Sequence, residues 1–201
     1  MKLTVISPSH FDPREYSVID ALFAAGLERY DVRKPEASAL ELEAWISLIP
    51  EKWRSRLMLH THHEFVAQFG LAGCHYRGTD RPRRSESSSG KGYTSHTCHD
   101  LPTLRAALGY YDSVFVSSMF PRNNGPTSAL PDGRLRALLS ARTTAQRRTT
   151  VFALGGVTAA TIPHCSSLGF DGIAVKSAVW RSDDPIRAFR QIKKALPAAG
   201  T

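Results

Sequence analysis

Short apolar runs rich in β-branched residues recur along this chain, and most are followed by a stretch with helical spacing. That alternation restricts the chain to an α/β architecture built on a parallel sheet. Leu3-Thr4-Val5-Ile6 is the first run. Residues 13–25 follow with Val18, Leu22 and Phe23 at helical spacing, and Gly26 is placed to end the helix. A second strand is expected over residues 27–33. Ser38 and Glu41 have capping-box spacing and open a helix whose apolar face is Leu42, Trp45, Ile46 and Ile49. Strands are expected at 57–61, 73–77, 93–97, 113–119, 150–154 and 172–175. Helices are expected at 64–69, 100–108, 134–145, 158–168 and 185–196.

Two stretches break the pattern. Residues 78–92 (GTDRPRRSESSSGKG) carry no apolar periodicity and predict a long loop where a helix would otherwise stand after the fourth strand. Residues 121–133 predict a second polar loop. About eight strands and seven helices in 201 residues fit a single domain, 1–201, folded as a small (β/α)8 TIM barrel. A doubly wound open sheet is the alternative topology. Both place chemistry at the C-terminal ends of the strands.

The charge narrows the partners. Lys+Arg number 26 against 18 Asp+Glu, a formal net charge of +8, which admits nucleic acid, an anionic membrane surface or small phosphorylated substrates. The basic residues are scattered through 52–56, 77–84, 134–148 and 181–194 and form no continuous stripe interleaved with aromatics, so nucleic acid is not expected. No apolar run reaches the roughly 18 residues of a membrane span, and the opening MKLTVISPSHFDP turns polar before a secretory segment forms. A cytoplasmic location is expected, with no membrane partner. Cys74, Cys98 and Cys165 lack CxxC spacing, so they read as reduced, mostly structural thiols.

The expected strand ends are polar: Arg33-Lys34, His60-Thr61-His62-His63, His75-Tyr76-Arg77, Thr94-Ser95-His96 and Ser117-Ser118. The sharpest local signal is Ala153-Leu154-Gly155-Gly156-Val157-Thr158, paired with Gly172 to Ser177 about twenty residues later. Paired glycines let backbone amides approach an anion, and the turns after the last two strands of a barrel are where phosphate is commonly held. Lys176 or Ser177 is placed to complete the cradle. The histidines at 60, 62 and 63 come without HExxH or similar spacing and do not by themselves make a metal site. Asp80, one of few carboxylates near this rim, suits a magnesium ion that bridges to a substrate phosphate.

These residues carry a resemblance. Asp31-Val32-Arg33-Lys34-Pro35, Ala72-Gly73-Cys74-His75-Tyr76, Gly92-Tyr93-Thr94-Ser95-His96-Thr97, Asp112 to Phe115 with Met119-Phe120-Pro121, Leu154-Gly155-Gly156-Val157 and Gly169 to Val175 occur in the order and spacing of one family's landmarks. Over nearly its whole length the chain resembles the thiamine phosphate synthase family and the related TenI thiazole tautomerases. The resemblance implies a (β/α)8 barrel that joins an aminopyrimidine methyl diphosphate to a thiazole phosphate and releases diphosphate, with Mg2+ as cofactor. It implies catalytic positions at Arg33, His60, Thr94 and His96. Substrate and phosphate contacts are implied at Lys34, Ser118, Arg122, Leu154, Gly155, Gly156 and Ser177, and a magnesium carboxylate at Asp80. Small phosphorylated pyrimidine and thiazole ligands are the expected partners, and a homodimer is admitted.

Departures from the family pattern accompany the matches. Pro35 stands where the family has a diphosphate lysine, His60 and Thr61 replace an Asn-Asp pair, Gly78 replaces a glutamine, and Arg122-Asn123-Asn124-Gly125 replaces a lysine-bearing loop. Ser118 occupies the tautomerase histidine's place. These changes keep a second reading open, a non-catalytic or regulatory binder of a thiazole or thiamine phosphate, or a TenI-like paralogue with altered chemistry. Arg77, Arg81, Arg83, Arg84, Lys91 and Arg122 offer replacement charge from the loops.

Overall fold

The computed structural model describes residues 1–78, 92–120 and 130–197. Eight strands, β1 (Lys2–Ile6), β2 (Arg29–Val32), β3 (Leu57–Leu59), β4 (Gly73–Tyr76), β5 (Tyr93–Cys98), β6 (Ser113–Ser117), β7 (Thr150–Leu154) and β8 (Gly172–Val175), pair in parallel in chain order. β1 also pairs with β8, Val5 opposite Val175, so the sheet closes into a barrel and the open-sheet alternative falls away. Around it stand α1 (Glu15–Ala24), α2 (Ala39–Ser47), α3 (Glu51–Arg54), α4 (Phe65–Phe69), α5 (Leu101–Ala107), α6 (Asp132–Ser140), α7 (Ile162–Leu168), α8 (Ser177–Trp180) and α9 (Pro185–Ala195). No helix among the described residues is long and apolar enough to cross a membrane.

Strand periodicity divides the side chains between two environments. Outward residues such as Val5, Tyr30, Leu57, Val114, Val151 and Ile173 pack against Ile19, Leu22, Ile46, Leu104, Leu139 and Phe189 of the helices in one continuous core. Inside, Ile6, Phe115, Phe152 and Ala174 form a smaller apolar layer with Leu154 against it. Burial of these aliphatic and aromatic side chains, each contributing about 1.5–3 kcal/mol, is the main drive to the closed form.

Local chemistry sets the element boundaries. The capping box forms as expected: Ser38 N donates to Glu41 Oε2 at 2.9 Å and Glu41 N to Ser38 Oγ at 3.3 Å. The basic helix expected over 134–145 instead ends at Ser140, because Arg142 leaves the helix to make a bidentate pair with Asp171, at 2.7 and 3.0 Å. The helix expected from Thr158 begins as a 3-10 turn over Ala159–Thr161, since Pro163 in the first turn of α7 has no N–H to continue a ladder from upstream. The one-turn helices α3 and α8 are too short to show periodicity in sequence. Residues 79–91 and 121–129, most of the two expected loops, lie outside the described residues. Burial pushes the Cys98 thiol up to about 12 and the Cys165 thiol to about 11, in keeping with structural cysteines.

Candidate active site

A cleft of about 440 Å³ opens at the C-terminal ends of β1, β2, β6, β7 and β8. Ile6, Leu154 and Ala174 give it an apolar floor; Ser9, Arg33, Ser117, Ser118, Lys176 and Ser177 stand around it. The wall after β7 is bare backbone. Gly155 and Gly156 have φ of +94° and +70°, and a Cβ on Gly156 would meet Phe120 Cβ at 2.7 Å, so neither conformation nor space admits a side chain there. Backbone held open in this way, at the mouth of a parallel barrel, is suited to a phosphoryl group.

The opposite wall is cationic. Arg33 Nη1 donates to Ser9 Oγ at 3.1 Å, and Lys176 Nζ to the same oxygen at 2.6 Å. Arg77, at the exit of β4, has its guanidinium pulled below the usual value, first by desolvation and then by the nearby charge of Arg33. The Arg33 guanidinium beside a glycine cradle, with Arg77 near enough to feel its charge, suits a multiply charged anion.

Comparison with known proteins decides the family. The family described as "Thiamine monophosphate synthase" matches residues 3–179. The chain belongs to that family. Among relatives of this synthase family, a putative thiamine-phosphate synthase of Geobacter sulfurreducens is 25% identical over 188 residues, covering 90% of this chain and 86% of its own length. The crystal structure of thiamine phosphate pyrophosphorylase from Bacteroides thetaiotaomicron superposes with a TM-score of 0.81 at 28% identity, covering 97% of each chain. The corresponding structure from Pyrococcus furiosus, at 21% identity and a TM-score of 0.78, shares the fold.

The synthase-family cleft gathers Arg33, Ser118, Leu154, Gly155, Gly156 and Ser177 from the expected site residues. Others are placed elsewhere. Lys34 is 1% exposed and turned away from the cleft: Nζ donates to Glu15 Oε2 at 2.6 Å and to the carbonyls of Pro8 and His10 at 3.1 and 2.8 Å. Its neighbour Arg33 takes the inward position, and alternation along the strand sends Lys34 outward. Thr94 lies at the N-terminal end of β5, where its N–H and hydroxyl donate to Asp112 Oδ2 at 2.8 and 2.9 Å. His96 packs outward, its ring stacked on Tyr111 at 4.9 Å. The inward residues of β5 are Ser95 and Thr97, and at its exit His99 Nδ1 donates to the Ser117 carbonyl at 2.7 Å. Asp80 and Arg122 lie outside the described residues.

His60 points inside the barrel and joins a polar network absent from the expected site. Its Nε2 is 3.3 Å from Asp31 Oδ1, while Thr4 Oγ1 donates to Asp31 Oδ2 at 2.7 Å. The imidazole stacks on His75 with ring centroids 3.9 Å apart, and His75 uses Nδ1 and Nε2 on Ser95 and Thr97 at 2.8 and 2.9 Å. Burial holds both histidines well below the ordinary imidazole value and raises the Asp31 carboxyl. The signal available in sequence was parity: Asp31 on β2 and Arg33 just past its end lie two residues apart and face the same side of the strand.

Asp31, His60 and His75 offer three donor atoms within 4.8 Å of one another. They do not suit magnesium, which takes oxygen ligands in an octahedral shell. Nor do they converge on any single ion as they stand, because imidazole lone pairs lie in the ring plane and the two rings are stacked 16° from parallel. The cleft lining carries no carboxylate among the described residues. The described residues therefore do not fit a magnesium site.

Proposed function

We propose that the protein is a transferase that joins an aminopyrimidine methyl diphosphate to a thiazole phosphate and releases diphosphate, acting in the cytoplasm in thiamine biosynthesis. The observation that carries this reading is the pairing, across one cleft, of a side-chain-free glycine cradle with Arg33. In the reaction the carbon–oxygen bond to diphosphate breaks and its electron pair leaves with the oxygen; the thiazole nitrogen then supplies the pair for the new carbon–nitrogen bond. Negative charge grows on the leaving group, where Arg33 and Arg77 supply fixed positive charge. Gly155, Gly156 and Ser177 hold the thiazole phosphate, and the apolar floor of Ile6, Leu154 and Ala174 keeps water from the carbon centre.

The direct test mixes purified protein with both phosphorylated precursors and magnesium and measures thiamine phosphate. Folded protein that yields none rules out the transferase. Arg33→Ala is expected to lower kcat/KM by roughly 10- to 100-fold, the loss of a charge-assisted contact of about 1.5–3 kcal/mol. Unchanged turnover would remove Arg33 from the leaving-group site. Gly156→Ala, which places a methyl group against Phe120 at positive φ, should raise KM for the thiazole phosphate about tenfold and cost about 1–2 kcal/mol of stability. A KM equal to wild type in a folded Gly156→Ala protein would show that phosphate sits elsewhere.

The lack of a carboxylate in the described cleft lining favours the second reading, a non-catalytic binder of the azole phosphate. Calorimetry separates the two: a binder takes up the thiazole phosphate but not the pyrimidine diphosphate.

A further inference from the structure

Two faces on the outside of the barrel expose apolar side chains and carry opposite charge. On the first, Leu40, Ala44 and Leu48 form an i, i+4, i+8 stripe along α2 and its C-terminal cap, with Leu40 76% and Leu48 67% exposed. Phe11, 40% exposed, stands beside this stripe across a groove of about 350 Å³. Residues 35–51 contain Glu36, Glu41, Glu43 and Glu51 and no Lys or Arg. The second face is a groove of about 470 Å³ between α5 and α6. Leu108, Leu138, Ala137 and Ala141 line it, with Arg105 and Arg134 exposed on its two walls. Tyr110, the fourth large apolar side chain exposed among the described residues, follows two residues after Leu108. Residues 134–148 contain no Asp or Glu. The carboxylates that open these two helices are engaged: Asp100 accepts from Thr103 N at 2.7 Å, and Asp132 lies 3.0 Å from His164 Nε2.

One molecule cannot bring these faces together. α2 follows β2, whereas α5 and α6 flank β6, and in a closed barrel of eight strands in chain order β2 and β6 stand opposite each other. Their lengths agree: the stripe over 40–48 runs about 12 Å, and the groove walls over 101–108 and 134–141 run about 10–11 Å. We propose that copies of this chain associate head to tail, the acidic α2 stripe of one copy seated in the basic α5–α6 groove of the next. Leu40 and Leu48 are then covered by Leu108 and Leu138, and the glutamates of 35–51 lie beside Arg105 and Arg134. Pairing either face with its own copy would oppose like charges. Each copy keeps one face open after a single contact, so association continues past two. The contact uses no residue of the cleft and is independent of the reaction performed there.

Sedimentation velocity of the full chain from about 1 to 100 µM tests this. At low salt the sedimentation coefficient is expected to rise with concentration, and to fall toward the monomer value in about 0.5 M NaCl, where charges across an exposed interface are screened. Two double variants at exposed positions each remove one half of the contact. Leu40→Ser with Leu48→Ser strips the stripe of its apolar side chains, and Ala137→Glu with Ala141→Glu puts negative charge in the groove. Each should weaken association at least about tenfold while melting as wild type does. An equimolar mixture of the two double variants retains one intact stripe and one intact groove, and should form a 1:1 complex that grows no further. A wild type that stays monomeric at low salt, association indifferent to salt, either double variant associating like wild type, or a mixture that remains monomeric overturns the proposal.

Discussion

Lys34→Met is expected to destabilise the protein by about 3–5 kcal/mol at neutral pH, because it leaves a buried carboxylate without its counter-charge. Glu15 is 0% exposed and Lys34 1%. Glu15 Oε2 accepts from the ammonium at 2.6 Å, and Oε1 accepts from the Tyr30 hydroxyl at 2.7 Å. Desolvation already raises the Glu15 carboxyl above its ordinary value despite the lysine. Without the lysine the carboxyl rises further. A folded-state carboxyl pKa raised above the unfolded one favours the fold as pH falls, so the deficit of the variant relative to wild type should narrow between pH 7.5 and 5. Urea denaturation at the two pH values measures this. Glu15→Gln in the Lys34→Met background should recover part of the loss, since the orphaned charge is then gone. The same lysine ties down the β1–α1 segment through the carbonyls of Pro8 and His10, on either side of Ser9. A Lys34→Met protein with wild-type stability and lost diphosphate affinity would instead return Lys34 to the anion site that the resemblance implies.

Acidification of the wild type should produce the second large effect. His60 and His75 are buried, and both are held well below the ordinary imidazole value, by desolvation first and then, for His60, by the positive charge of Arg77 and, for His75, by its coupling to the His60 imidazole. In the unfolded chain each takes up a proton near pH 6.5, whereas in the fold each stays neutral. Stability is therefore fully present above about pH 6.5 and is lost as pH falls, at about 1.4 kcal/mol per pH unit for each histidine and about 2.7 for the pair. Asp31 works in the opposite direction: its raised carboxyl favours the fold as pH falls toward the unfolded carboxylate value near 4, which softens the lower end of the decline. Unfolding free energies at half-unit steps from pH 7.5 to 5 test this. A folded His60→Asn variant should show about half the slope, and a flat profile in wild type would mean that the pair is not neutral in the folded protein.

The barrel was legible in the sequence because strand and helix periods differ and because capping chemistry is local: Ser38 and Glu41 mark a helix start with no knowledge of the rest of the chain. The glycine cradle was legible for the same reason. What failed to show was which face of a strand a residue occupies, and which distant groups answer it. Thr94 and His96 sit on β5 as expected, but one near its start and the other facing the helices; the preceding stretch has no periodic landmark to fix which end of the strand meets the cleft. Lys34 reads as a free cation until the fold brings Glu15, nineteen residues earlier, against it. The Asp31, His60 and His75 network draws on β2, the end of β3 and β4, and parity along one strand marks the inward face of Asp31 but not its partners.

The seam between β1 and β8 sets a condition on synthesis. Lys2 to Val5 pair with Gly172 to Val175, so the first strand made waits for the last before its outer edge is satisfied. Until then a nascent chain presents two unpaired parallel edges, β1 on one side and its most recent strand on the other. Closure spans almost the whole length of the sequence, which makes it a late and slow event compared with formation of any single hairpin or helix. A ribosome that pauses between β7 and β8 would hold an incomplete barrel, with the glycine cradle already made and Lys176 not yet translated.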